Sequence, residues 1–320
     1  MNTLSLTLGF SPAPNTQALL DGSVKPKAVQ LHLQTRFGDG FDNVGARHRR
    51  IIEGKIDGGE LSISSFILAR MRGVGLRALP VFLSRRFRHR GMICSAKSPV
   101  RDPLDLNGKK VTVHRFNATT PVWLKGILQN QFGVRLETID WYVAEPDIAE
   151  EALRPPPPQF RIHFISPPRT REHAIGLVEQ GELDAALEPY KDLASNPKLR
   201  LLFPDHRKVE EEFYRLTGAF PINHLFVLRE DIAEDHPWVA ESLLIAFREA
   251  ESLADRYRNE EEKKEAAWER EVMGEDFSYS LKKGPACRSL ATLLEYQIQQ
   301  EMLDQRPDIE SLFFPQVLDL

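Results

Sequence analysis

The residues best equipped for chemistry lie in Pro80-Val-Phe-Leu-Ser-Arg-Arg-Phe-Arg-His89, where an apolar, strand-like run (Leu79 to Leu83) opens onto three arginines and a histidine. Strand ends are where α/β proteins place ligand chemistry, and guanidinium forks match carboxylate and phosphate groups in charge and shape. The stretch reads either as an anion-receiving site or as a solvated loop whose arginines pair with nearby carboxylates. Alternation along a strand turns Arg85 away from Arg86, which leaves Arg86 and Arg88 as the expected clamp. His89 adds a group that gives or takes a proton near neutral pH, or else a structural ring bonded to a backbone carbonyl.

Further along, Glu60, Ser62, Ser64 and Ser65 follow a Gly58-Gly59 turn. Ser64 and Ser65 are expected to line a site, because a helix start presents hydroxyls and backbone N–H groups to anions. Asn117-Ala-Thr-Thr-Pro121 is a second strand-turn-helix junction, with Pro near the first helical turn and Thr119 as the expected cap. Asn117, Thr119 and Thr120 there suit a second carboxylate. Glu188, at the end of an apolar run, suits orienting a histidine or a hydroxyl, and His224 begins another strand. His89, His224 and Glu60 form the expected catalytic set. His89, His224, Glu60 and Glu188 are also metal-ligand types, but no HxH, HxxxH or CxxC spacing supports a metal site and none is expected.

Stepping outward, strand-like runs at 3–9, 28–34, 61–64, 78–83, 110–114, 139–143, 161–165, 184–188, 199–203 and 224–229 alternate with helical patterns at 43–53, 64–72, 119–131, 171–180, 237–257 and 287–303. That alternation argues for α/β architecture with parallel sheets. Pro155 to Pro158 reads as a stiff extended connector, and Glu260 to Glu271 as a solvated helical face. One echo stands out. Glu53-Gly-Lys-Ile-Asp-Gly-Gly-Glu60 resembles Gln180-Gly-Glu-Leu-Asp-Ala-Ala-Leu187, each ending a helix at Gly and entering a strand. Two lobes built alike, with a cleft between them, would produce it.

A chain of 320 residues has room for two domains. With a net charge of −4, its basic cluster is a local device and not part of a nucleic-acid surface. No run suits a membrane span, and the N-terminal Leu4, Leu6, Leu8 alternation is a strand pattern and not a secretory signal. Cys94 and Cys287 are too few for a disulfide framework, so the expected location is the cytoplasm.

Asp102-Pro-Leu-Asp-Leu-Asn-Gly-Lys-Lys-Val111 and Glu234-Asp-His-Pro-Trp-Val239, with the Gly-x-Ile/Leu-Asp turns, resemble the type II periplasmic binding-protein fold. Glu60-Leu-Ser-Ile-Ser-Ser65, Phe82-Leu-Ser-Arg-Arg-Phe-Arg-His89, Val122-Trp-Leu-Lys-Gly-Ile-Leu128 and Thr217-Gly-Ala-Phe-Pro-Ile-Asn-His224 look like the 4,5-dihydroxyphthalate decarboxylase family, as do Phe203-Pro-Asp205 and Gly274-Glu-Asp-Phe277. Members carry a Gly-Asp-Tyr-Asp-like segment after the first strand, where this chain has Gly9-Phe-Ser-Pro-Ala-Pro14.

The resemblance implies two lobes, 1–93 with 222–320 and 94–221, each a mainly parallel sheet flanked by helices, with the ligand cleft between them. It also implies non-oxidative loss of CO2 from a hydroxylated benzene dicarboxylate, with no cofactor and a small aromatic carboxylate as partner. Neither nucleic acid nor membrane is an expected partner. The helical pattern at 287–303 suits either the chain's own core or a homo-oligomer. The competing readings are a solute-binding protein for an aromatic or sulfonated anion, and a decarboxylase of a related hydroxybenzoate-type acid.

Overall fold

The computed structural model describes residues 3–36, 44–145, 157–188, 196–275, 277, 279–318 and 320. They form two compact units: unit 1 holds 1–85, 218–291 and 307–320, and unit 2 holds 86–217 and 292–306. Residues 86–93 therefore group with the second unit rather than the first, because Met92 and Ile93 begin a strand of its sheet. Residues 292–306 join it too, since Tyr296 packs edge-on against Trp123 and the Gln300 side-chain amide donates to the Val122 carbonyl.

Unit 1 begins with β1 (Leu4–Gly9), α1 (Gln17–Leu20), β2 (Val29–Gln34), α2 (Val44–Ile52), β3 (Gly58–Ser62), α3 (Ile63–Met71) and β4 (Leu76–Arg85). Unit 2 follows with β5 (Met92–Ser95), β6 (Lys110–Val113), α4 (Thr119–Phe132), β7 (Asp140–Val143), β8 (Arg161–Phe164), α5 (Arg171–Gln180), β9 (Ala185–Leu187), β10 (Leu199–Leu201) and α6 (His206–Thr217). The chain then returns to unit 1 through β11 (Ile222–Arg229), α7 (Glu230–Asp235), α8 (Val239–Ser252), α9 (Glu260–Met273) and α10 (Gly284–Gln299), the last turns of α10 belonging to unit 2.

The sheets run β2-β1-β3-β11-β4 and β10-β5-β9-β6-β7-β8. In unit 1, β2, β1 and β3 are parallel, and β11 lies antiparallel between β3 and β4. In unit 2, β8, β7, β6 and β9 are parallel, and β5 lies antiparallel between β9 and β10. The two plans match over five strands, with β7, β6, β9, β5 and β10 in the places of β2, β1, β3, β11 and β4, and unit 2 adds β8 at one edge. The repeated sequence echo is the reason. Asp57 and Asp184 each follow a left-handed glycine, Gly54 or Gly181. Each donates its backbone N–H to a carbonyl of the first parallel strand, Asp57 to that of Thr7 and Asp184 to that of Lys110. Each carboxylate then accepts the same strand residue's N–H, at 2.7 Å from Thr7 and 3.1 Å from Lys110.

Topology makes each sheet a candidate for ligand binding. The chain leaves β1 for β2 on one side and β3 lies on the other, so a crevice opens at the carboxyl ends of β1 and β3. The same reversal occurs in unit 2 between β6 and β9. Open α/β sheets bind ligands at such switch points.

Helices on these sheets are amphipathic or wholly buried. In unit 1, Val239, Leu243, Leu244 and Phe247 of α8 share a core with Leu8, Leu79 and Phe226. In unit 2, Ile93, Ile175, Val178, Leu183, Ala186 and Leu199 cluster, and Trp123 and Trp141 are fully covered. α9 is mostly exposed, as its charge density implies, and starts with a reciprocal Asn259–Glu262 capping box.

Several elements differ from the sequence expectation. β3 starts at Gly58 and not at residue 61, because the glycines lie between close backbones. A Cβ on Gly58 would stand 2.3 Å from the Val227 carbonyl oxygen, and one on Gly59 2.0 Å from that of Gly9. The short, fully buried β5 carries too little periodic signal to be expected, and α6, although amphipathic, is unexpected because so many of its residues are charged. At the Pro-rich connector, residues 155 and 156 lie outside the described residues.

Candidate active site

At the switch point of unit 1, Glu60 projects from β3 toward the turn after β1. Its Oε2 accepts the backbone N–H of Ser11 at 2.9 Å and pairs with Nη2 of Arg47 at 3.0 Å. Arg47 comes from α2 and also donates to the Ser11 hydroxyl at 2.8 Å. The other carboxylate oxygen lies 2.6 Å from Nδ1 of His224, which enters from β11 opposite Ser62. The His48 ring meets that of His224 edge to face, with centroids 5.4 Å apart.

Burial opposes the charge on Glu60, but His224, Arg47 and the Ser11 N–H outweigh it and hold the carboxyl below the usual carboxylate range. An ionised Glu60 accepts the Nδ1 proton of His224, fixing the ring and leaving Nε2 for a further partner. Such an oriented imidazole moves protons; this is the acid–base part of a hydrolytic triad without its nucleophile. The backbone provides the placement. β11 pairs His224 with Ser84 and Phe226 with Leu79, so β4 bulges by three residues around Pro80, which has no N–H to pair.

Unit 2 holds a second cluster of the same kind. Glu188, just past β9, lies 2.6 Å from Nδ1 of His114, just past β6, and 3.2 Å from Nη1 of Arg171 on α5. Burial again opposes the Glu188 charge, while His114, Arg171 and Arg115 lower its pKa. Asn117, Thr119 and Thr120 are buried in the same β6–α4 turn and first helical turn. Ala118, not Thr119, occupies the cap position of α4.

The remaining expected residues lie elsewhere. His89 is fully buried in unit 2, ringed by Phe132, Phe203 and Phe213 with centroids 5.5–6.3 Å away. Its Nε2 faces Oε1 of Gln131 at 2.8 Å, and burial lowers its pKa to about 4, so the ring is neutral at physiological pH. Arg85 belongs to unit 1, paired with Glu251 at 2.5 Å and stacked over Phe277. Arg86 is exposed, whereas Arg88 is buried beside His89 in the chain. Ser64 and Ser65 are fully buried in the first turn of α3.

The structure thus brings Glu60 to His224 and adds Ser11, Arg47 and His48; it brings Glu188 to His114 and Arg171. Sequence reading named only Glu60, His224 and Glu188 of these eight. A signal for two others was present: in α2, Arg47 and His48 occupy the stripe between Val44 and Ile51 where apolar residues are required. His114 ends a strand at a switch point, a position marked by topology and not by spacing. Among the described residues, no group of three or more His, Cys, Asp or Glu is placed to hold a metal ion, and no helix is long and apolar enough to cross a membrane.

No protein-family model matches the chain. It is 28% identical over 262 residues to a 4,5-dihydroxyphthalate decarboxylase of Comamonas testosteroni, covering 79% of this chain and 77% of that one. A protein of the same name from Pseudomonas putida is 26% identical over 223 residues, covering 67% and 83%. The periplasmic aliphatic sulphonate binding protein SsuA of Escherichia coli superposes with a TM-score of 0.58 at 15% identity, over 98% of this chain and 99% of that one. The chain is therefore similar over most of its length to proteins named 4,5-dihydroxyphthalate decarboxylase, and its fold is that of the periplasmic binding proteins.

Proposed function

We propose that this protein is a carboxy-lyase that removes CO2 from a hydroxylated aromatic dicarboxylate, with 4,5-dihydroxyphthalate as substrate and protocatechuate as product. The observation that carries this reading is the oriented Glu60–His224 pair, at a switch point of a chain similar to named decarboxylases. Direct departure of CO2 would leave an aryl carbanion. A ring hydroxyl para to the carboxylate offers a lower path. His224 Nε2 takes the hydroxyl proton, electron density moves to the ipso carbon, and that carbon is protonated. The carbon–carboxylate bond then breaks, its electron pair restores the ring, and the oxygen recovers its proton from His224. The net change is one proton taken up and one CO2 released.

Glu60 holds the imidazole in one tautomer and stabilises its protonated form, while Arg47 and the Ser11 N–H keep Glu60 charged. The chemistry calls for no redox cofactor, and the reading places the reaction in the cytoplasm, in aromatic-acid breakdown. Phe10 and Ser11, which replace acidic and phenolic groups of the family's pattern, favour tests of hydroxybenzoate-type acids beside the dicarboxylate.

The experiment is incubation of the purified chain with 4,5-dihydroxyphthalate, following CO2 and product by chromatography. Turnover to protocatechuate is the expected result. Tight binding of this or a sulfonated aromatic anion without turnover would instead support the solute-binding reading, which the structural likeness to a sulphonate-binding protein favours.

A further inference from the structure

We infer that His48 of α2 is a positioning residue for His224: its ring, set across the His224 imidazole, fixes the plane in which that imidazole holds and moves its proton. The inference deepens the decarboxylase reading above and rests on it for the reaction served.

All the groups concerned lie in unit 1. Glu60 holds His224 at one point, Nδ1, at 2.6 Å. That contact selects the tautomer and rules out the flipped ring, which would put a carbon where Nδ1 stands. It does not fix the plane of the ring, because the second side-chain torsion of a histidine has a broad, roughly two-fold well. Nε2 is the atom that must meet the substrate hydroxyl, and any turn of the ring about its bond to the chain carries Nε2 with it.

His48 supplies the second restraint. It is buried, and its ring stands at 85° to that of His224 with centroids 5.4 Å apart, a separation within the roughly 4.5–7 Å range of edge-to-face pairs. A perpendicular ring at this distance opposes the rotation that the carboxylate permits. The placement follows from the helix. α2 packs on β3, the strand that carries Glu60, and Arg47 and His48 are neighbours in it. Successive helical positions point about 100° apart, so two adjacent residues reach two different groups. Arg47 goes to the Glu60 carboxylate at 3.0 Å and His48 goes to the imidazole. One helix thus governs both members of the pair, the charge of Glu60 through Arg47 and the plane of His224 through His48. This accounts for a histidine in the stripe of α2 where an apolar side chain is required.

The test compares wild type with His48→Phe, which keeps a ring and loses both nitrogens, and His48→Gln, which keeps polar atoms and loses the ring. Thermal unfolding checks folding. Two quantities are read: turnover of 4,5-dihydroxyphthalate, and the carbon-bound ring-proton NMR signals of His224, assigned by their loss in His224→Gln. For His48→Gln we expect kcat to fall by up to about 10²-fold with KM within a few-fold, and the His224 signals to shift and broaden. His48→Phe should hold kcat within a few-fold of wild type and keep those signals sharp. Unchanged kcat and signals in a folded His48→Gln, or a raised KM with kcat unchanged, would overturn the positioning role. So would an equal loss in a folded His48→Phe, since the nitrogens and not the ring would then matter. If His48→Gln does not fold, His48→Phe decides. If neither folds, the wild-type spectrum decides: the two rings should show a mutual nuclear Overhauser effect and sharp His224 signals, and broad signals or no such effect would overturn the inference. No turnover by wild type would overturn the decarboxylase reading alone, and the His224 signals would still decide whether His48 holds the ring.

Discussion

The two His–Glu pairs are built from matching parts and supported differently. In each unit a carboxylate, within β3 in one and just past β9 in the other, lies 2.6 Å from Nδ1 of a histidine and carries an arginine on its second oxygen. In unit 1 the arginine is wholly buried and a backbone N–H joins it; in unit 2 the side chain of Arg171 is 46% exposed. The routes to the carboxylate differ as well. Glu60 lies six positions after Gly54, and the path passes through Gly59 at φ 147°, packed on the Gly9 backbone. Glu188 lies seven positions after Gly181, and alanines stand at the equivalent strand positions. The lesson is that one topological position is filled twice. Unit 1 encloses its pair in backbone and buried charge, whereas unit 2 leaves one partner in water.

The largest test of this contrast is catalytic. Replacing His224 by Gln, or Glu60 by Gln, should lower kcat by about 10²–10⁴ while thermal unfolding stays cooperative. Retained turnover would remove the unit 1 pair from the chemistry.

The next tests concern stability. Arg47→Met leaves Glu60 buried without its cation and should cost about 3–5 kcal/mol in denaturant unfolding. Arg171→Ala, half in solvent, should cost under about 1 kcal/mol. Equal losses would mean that the two clusters are supported alike.

His89 gives a pH signature that neither pair produces. Its folded pKa is about 4 against an ordinary 6.5, so between those values the unfolded chain binds more protons. The neutral ring's contribution is complete above pH 6.5 and is lost as pH falls toward 4, a loss of about 3 kcal/mol. Glu60 and Glu188, with lowered folded pKa values, contribute fully above 4.5 and lose their contribution only as pH falls below it. Urea unfolding of His89→Phe should therefore show a flatter stability curve between pH 4.5 and 6.5. An unaltered slope would mean that His89 is charged in the folded state.

The smallest effect is Ala186→Gly, expected to cost about 0.5–1 kcal/mol in the same assay, because the unit 2 strand does not need a glycine's freedom. The reverse substitution, Gly59→Ala, meets the Gly9 carbonyl oxygen at 2.0 Å and should disrupt unit 1.

Much of this was legible in the residues. Periodicity located α2, α3, α4, α5 and α8, and the Gly-x-x-Asp echo announced two similar halves, because both are local signals. The site was legible only in part. Glu60, His224 and Glu188 stood out by residue type at element ends. Their partners Ser11, Arg47, His114 and Arg171 come from other elements, 13 to 74 residues away along the chain, and strand order decides which of them meet. His89 misled for the converse reason: three arginines beside it in sequence suggested an anion, but its neighbours in space are phenylalanines.

The bulge in β4 has a consequence beyond the placement of His224. β4 is the outermost strand of its sheet, and its Ala78 is taken up by Phe313 and Phe314 from the C-terminal segment. Pro80 offers no N–H, and the following residues leave the regular ladder. A strand so interrupted is a poor template for a second chain, which guards the protein against edge-to-edge aggregation. Solubility and site geometry thus share residues 80–84, and a change that straightened this strand for one purpose would compromise the other.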